Sequence, residues 1–146
     1  MKREDMVNSD LSRFMYAHEN SYRTALGEIQ NGKKMTHWMW YIFPQIHGIG
    51  RSSTSQYYAI QTIEEAKAFL LDPYLGGNLR EISHTLLGLT ENNPTTIFGK
   101  PDDRELKSCM TLFASISEDS SVFHQVLDKF FNGRMDERTL SIRQRH

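Results

Sequence analysis

The sequence predicts an all-α fold, a single irregular bundle of about seven or eight short and medium helices, and three observations predict it. Apolar residues recur at three- and four-residue spacing along most of the chain. Capping side chains and Asn-Gly or Asp-Pro steps bracket those stretches. The one apolar run that could be a strand has no second strand-like run to pair with.

The first helix follows a cap at Ser9 or Asp10, whose short side-chain acceptors suit the free amides of a first turn. Leu11, Phe14, Met15, Tyr22, Ala25, Leu26 and Ile29 share one face, and Asn31-Gly32 ends it, since glycine readily turns left-handed after a helix. The apolar run from Thr36 to Gln45 forms a short helix ending before Pro44. Residues 46–55, with Gly48, Gly50, Arg51 and four hydroxyl side chains, form an ordered loop, and residues 57–60 start another short helix.

Thr62 and Glu65 make a capping box, Thr62 reaching forward and Glu65 back, which opens a helix through Leu71. Asp72-Pro73 starts the next helix, with a core stripe of Leu75, Leu79, Ile82, Leu86 and Leu89. A connector over 91–101 holds one turn at Ile97-Phe98. Asp102 or Asp103 caps a helix through about Ile116, with Leu106, Cys109, Met110 and Phe113 inward. Ser120 or Ser121 caps another, ended by Asn132-Gly133, and Asp136 starts the last, through Ile142.

The 146 residues fit one domain over 9–143 behind a short tail at 1–8, and 38% apolar against 24% charged residues suits a soluble globule. A net charge of −1 gives no bulk basic excess, which argues against nucleic acid as the partner. Arg134, Arg138, Arg143 and Arg145 read as a solvated helix face. Cys109 is the single cysteine, the N-terminus is charged, and no stretch approaches the ~20 apolar residues of a membrane span, so the expectation is a cytoplasmic, non-membrane protein. The oligomeric state is not legible.

Phosphate-loop, dinucleotide, zinc-ligand and serine-hydrolase motifs are missing, and six scattered histidines have no metal spacing, so neither metal nor cofactor is expected. Two segments are more elaborate than packing requires. From His37 to Tyr58 the aromatics Trp38, Trp40, Tyr41 and Phe43 interleave with polar residues, and Gln45, Gly48, Gly50, Arg51 and Ser52 follow. Aromatic faces stack on flat ligands, and glycine loops let backbone amides approach an anion. The aromatics serve equally as core. The second segment holds Asp102, Asp103, Lys107, Ser108 and Cys109. Lys107 and Ser108 face a pocket in one reading; in the other, Asp103 and Lys107 are an i,i+4 surface pair. Cys109 lies on the apolar face as a buried thiol.

Residues 36–45, Gly48 to Ser52, Asp72 to Gly76, Ile97 to Gly99, Leu106 to Phe113 and the ending from Phe130 resemble domain-of-unknown-function family 1810. The His-Trp-Met-Trp and Ser-x-Met-Thr-Leu-Phe strings are its most specific parts. The resemblance covers about Leu11 to Leu140 and implies a mainly helical fold in small bacterial proteins, with no established activity. Cys109 stands where the family more usually has a small residue such as serine. A second segment, Ser55 to Gln61, is similar to helical domains acting on ADP-ribose conjugates, which carry a Glu-His-Tyr-type string where this chain has Gln56-Tyr57-Tyr58. Glutamine is no general acid or base, so that likeness implies binding rather than the same chemistry.

The functional expectation is a pocket for a small, flat, anionic ligand, nucleotide-like or ADP-ribose-like. Trp38, Trp40 and Tyr58 stack, Arg51 and Lys107 meet phosphate, Gln45, Ser52 and Ser108 add polar contacts, and His37 or Asp102 transfers a proton. The alternative is a non-enzymatic protein-interaction or self-association module with an exposed aromatic patch.

Overall fold

Local capping chemistry sets most of the element boundaries in the computed structural model, which describes residues 11–144. Ser9, Asp10 and Arg145 lie outside the described residues. Among the described residues there are nine helices: α1 (Ser12–Gln30), α2 (Met39–Ile42), α3 (Ser53–Tyr58), α4 (Ile63–Leu71), α5 (Pro73–Leu87), α6 (Pro94–Phe98), α7 (Asp102–Ala114), α8 (Val122–Phe131) and α9 (Glu137–Gln144). The fold is all-α, with one more helix than expected and a single isolated bridge between Ile46 and Ile60.

The capping box at α4 forms with a shift. The Glu65 amide donates to Thr62 Oγ1 at 3.0 Å, but the Glu65 carboxylate reaches Gln61 N at 2.8 Å, one residue before the cap. Its two oxygens also receive Arg13 from α1, at 3.0 and 3.2 Å. Asp72 ends α4 and caps α5 at once, accepting from Tyr74 N and Leu75 N. Gly76 makes this corner feasible, because a Cβ there would stand 2.0 Å from Leu70 O. Ser121 caps α8, and Asn132, left-handed at φ 56°, ends it.

Two helix starts differ from the sequence reading in their capping. α3 begins at Ser53, capped by Ser52, and is over by Tyr58, because the backbone of Ile60 bonds to the 45–47 segment instead: Ile60 N donates to Gln45 O and His47 N to Ile60 O. At α7 the cap position is Pro101, and neither Asp102 nor Asp103 caps it. Asp103 accepts from Thr95 Oγ1 at 2.6 Å and is buried, which also removes the surface pair with Lys107.

α1 packs on α5 and α2, α5 on α4 and α8, and α7 on α4, α6, α8 and α9. Having neighbours on so many sides, α7 buries Ser108, Thr111, Leu112 and Ala114 besides the four inward residues of its apolar stripe. One contiguous cluster of buried side chains runs from Leu11 to Phe130. Trp38, Met39, Ile42 and Phe43 belong to it, so most of the ambiguous apolar run is core, whereas Trp40 and Tyr41 are half-buried. α9 is tied down by Asp136 N to Thr111 Oγ1 and by Arg143 to Ser115, while Arg134 and Arg138 are exposed. No helix among the described residues is long and apolar enough to cross a membrane.

Candidate functional site

The segment between α1 and α2 is organised by one carboxylate. Glu28 accepts from Thr36 Oγ1 at 2.6 Å, Met35 N at 2.7 Å, Trp38 Nε1 at 2.9 Å and Thr36 N at 3.0 Å. Burial would raise its pKa, but the four donors together outweigh burial and hold it down to about 2. Trp38 is thereby fixed in the core at 1% exposure, its indole N–H used, its ring against Phe43 and Phe98. His37 is left exposed, its ring 6.4 Å from that of Trp40.

Beyond α2 the rings of Tyr41 and Tyr58 lie 5.0 Å apart, and those of Tyr57 and Tyr58 4.8 Å apart. Arg13 holds the end of α3 by donating to Tyr57 O and Ala59 O, both at 2.8 Å. Burial, with Tyr57 and Tyr41 beside it, pushes the Tyr58 phenol up. The loop before α3 turns at Gly48, φ 107°, where Ile142 of α9 packs against the glycine. At Gly50 the backbone passes so close to Ser55 that a Cβ would meet its Oγ at 2.4 Å. Ser52 Oγ accepts from Ser55 N, and Gln45 Oε1 lies near Gly50. Arg51 is exposed, and its carbonyl accepts from Gln56 Nε2 at 3.0 Å.

A separate polar group sits on α7. Lys34 Nζ pairs with Asp102 Oδ2 at 2.8 Å. Burial first, then the neighbouring Asp102, push Glu105 up to about 7, against the opposing pull of Lys34. Ser108 is buried and donates to Arg104 O within its own helix, and the Lys107 ammonium lies 6.0 Å from the Phe131 ring centroid. Cys109 is fully buried, which pushes its thiol well up and leaves it inert.

The residues singled out in the sequence thus divide. Gln45, Arg51, Ser52 and Tyr58 fall on one loop and helix, with Trp40 on the short helix beside it and His37 in the segment just before that helix. Asp102, Lys107 and Ser108 lie along α7, where their contacts are with the 34 region, α8 and their own helix. Lys34 and Glu105 escaped the sequence reading, and Tyr41 was noted only among the aromatics of its segment. The Asp102–Glu105 spacing of three was a readable signal for two carboxyls on one helix face; Lys34 carried none. Among the described residues, no group of three or more His, Cys, Asp or Glu side chains is placed to hold a metal ion.

An irregular all-α bundle with an aromatic, hydroxyl-rich α2–α3 face defines the structural class. The chain belongs to the DUF1810 family, described as "Protein of unknown function", whose profile matches residues 8–142. It is similar to the conserved hypothetical protein Rv1873 from Mycobacterium tuberculosis, whose crystal structure shares 39% identity with a TM-score of 0.88, over 91% of this chain and 95% of that one. No curated protein matches the chain.

Proposed function

We propose that the α2–α3 face binds a small, flat, anionic ligand of the nucleotide or ADP-ribose type. Tyr58 and Trp40 are the stacking surfaces, Arg51 meets the anion, and Gln45 and Ser52 supply polar contacts. The observation that supports this reading is the partly exposed ring cluster of Tyr41, Tyr58 and Tyr57: Tyr57 and Tyr58 directly follow the loop carrying exposed Arg51, and Tyr41 meets Tyr58 from α2. Aromatic rings beside a cation and hydroxyls match a ligand with a planar ring and a phosphate. Trp38 and Ser108 leave the reading, the first being core and the second buried against its own helix. Asp102 is engaged by Lys34, so binding comes first, and His37 beside Trp40 is the group left to move a proton.

The test is a thermal-shift panel of nucleotides, NAD and ADP-ribose. A ligand at about 100 times its Kd stabilises the fold by roughly 2.7 kcal/mol, several degrees for a chain of this size. Arg51→Ala removes a charged contact and is expected to weaken binding by about tenfold or more. Silence across the panel, or equal shifts in Arg51→Ala and Tyr58→Ala, overturns the proposal. A second reading, an interaction or self-association module, draws on exposed Leu71 (80%), Tyr16 (73%) and Tyr57 (59%). Light scattering that finds a strict monomer counts against self-association.

A further inference from the structure

Residues 47–59 leave the bundle and return to it through a closed neck. Ile46 and Ile60 bridge in parallel, Ile60 N donating to Gln45 O at 2.8 Å and His47 N to Ile60 O at 2.7 Å, and both isoleucines are fully buried. A surface excursion with its ends tied together in this way has the build of an Ω-loop, which runs to about 6–16 residues. Beyond the neck the segment is exposed or half-buried except for Ala59, and α3 within it buries none of its residues. Its polar groups serve one another: Gln56 N donates to Ser52 O at 3.0 Å, Gln56 Nε2 to Arg51 O at 3.0 Å and Ser55 N to Ser52 Oγ at 3.1 Å. On the outgoing limb Gly48 meets Ile142. On the returning limb the Tyr58 ring rests against Tyr41 and Phe14, and Arg13 donates to Tyr57 O and Ala59 O, both at 2.8 Å. The same guanidinium grips Glu65 of α4 at 3.0 Å and lies 4.2 Å from the Phe14 ring centroid.

We propose that residues 47–59 form a flap that opens as a unit about the Ile46–Ile60 neck, with Arg13 as its catch. Stability is not uniform across a fold, and a segment with few buried contacts opens on its own well before the rest. The neck lies in the core while the flap brings little apolar surface into it, so the boundary between the two falls at residues 46 and 60. Arg13 suits the catch because its planar fork serves two carbonyls and a carboxylate in fixed directions, which a lysine ammonium on a flexible stem does not. Once the catch lets go, α3 is far shorter than the ~12–15 residues an isolated helix needs in water. It therefore unravels on opening, and the amides of Gln56 and Ala59 lose their partners Ser52 O and Gln56 O. Opening carries Arg51, Ser52 and Tyr58 away from Trp40 and Tyr41 on α2. On the reading of this face as a ligand site, on which this last consequence rests, the flap admits the ligand. Arg13, acting through the carbonyls of Tyr57 and Ala59, is then a positioning residue for Tyr58 and Arg51.

The test is amide hydrogen exchange of the full chain, followed by NMR in the wild type and in Arg13→Lys. In the wild type the Gln56 and Ala59 amides are expected to exchange on the order of a hundredfold faster than the neck amides of His47 and Ile60. Arg13→Lys should speed Gln56 and Ala59 by about tenfold or more, the loss of a charge-assisted bond, and leave the neck and the middle of α7 unchanged. Flap and neck amides exchanging at one rate overturn the flap. So does Arg13→Lys that leaves Gln56 and Ala59 unmoved, or that speeds α7 by the same factor, since the latter marks a loss of overall stability. Should Arg13→Lys not fold, Glu65→Gln serves: it weakens the anchor of Arg13, while its amide oxygen can still accept from Gln61 N. Acceleration should again stay within the flap, and a uniform effect or none overturns it. Silence across the thermal-shift panel removes the ligand and leaves the flap to the exchange pattern. A nucleotide or ADP-ribose that binds without slowing Gln56 and Ala59 overturns the positioning role of Arg13.

Discussion

At the residue scale, His18 shows how a titratable ring is held neutral. It is 1% exposed, stacked on Tyr22 and edged by Phe69 and Tyr74. A carbonyl only accepts, so Nε2–H donates to Tyr41 O at 2.8 Å, and Nδ1 accepts from Asn78 Nδ2 at 3.1 Å. Burial pushes its pKa from 6.5 down to about 4, although the Tyr41 bond and Asp72 pull the other way. The native state favours the neutral ring, so its contribution is complete above 6.5 and is lost as the pH falls to about 4. At 1.36 kcal/mol per unit, that loss is about 3 kcal/mol. Urea denaturation of wild type and His18→Gln at pH 7 and pH 4.5 checks this: His18→Gln is the weaker protein, and its deficit relative to wild type should shrink by about 2–3 kcal/mol on going from pH 7 to 4.5. The place of His18 on the apolar stripe, four residues from both Phe14 and Tyr22, was the one legible signal of burial, whereas its partners Tyr41 and Asn78 come from distant segments.

At the element scale, the α4–α5 corner is the most constrained junction. The Leu70 carbonyl points at Gly76 and also accepts from Arg80 Nη1 at 3.2 Å. Gly76→Ala would drive a methyl into backbone that cannot swing aside, so we expect a loss of about 2–3 kcal/mol, read as a Tm lower by roughly 4–12 °C. Gly77→Ala, with open space around its Cβ, is the control and should be neutral or mildly stabilising. The caps at Thr62, Asp72 and Ser121 were legible because cap and amide lie within three residues of each other. The start of α3 was not legible because Ser52, Ser53, Thr54 and Ser55 are all competent caps, and the apolar run at 57–60 is the stronger helical signal. Asp102 and Asp103 read as caps for the same local reason, yet Lys34 and Thr95 claim them.

At the scale of the whole molecule, two buried or half-buried groups tilt the pH dependence of stability in opposite directions. His18 makes stability rise with pH between about 4 and 6.5, whereas Glu105 makes it fall between 4.5 and about 7. Their slopes oppose each other from 4.5 to 6.5, so the wild type should be flatter there than Glu105→Gln, which keeps the His18 slope alone. A denaturation series across that interval in both proteins checks it; parallel curves would remove Glu105 from the account. The helical class was legible because periodicity and caps are local. The division of the candidate residues between the α2–α3 face and α7 was not, because helix order along the chain does not say which faces meet.

The double service of Asp72, last residue of one helix and cap of the next, also bears on where the chain can change length. Adding a residue at that joint would force Asp72 to abandon one role, and would move Gly76 off the Leu70 carbonyl as well. Positions 90–92, exposed and between helices, impose no such double duty. Insertions that preserve the bundle belong there, and the α4–α5 joint fixes the register of everything on either side of it.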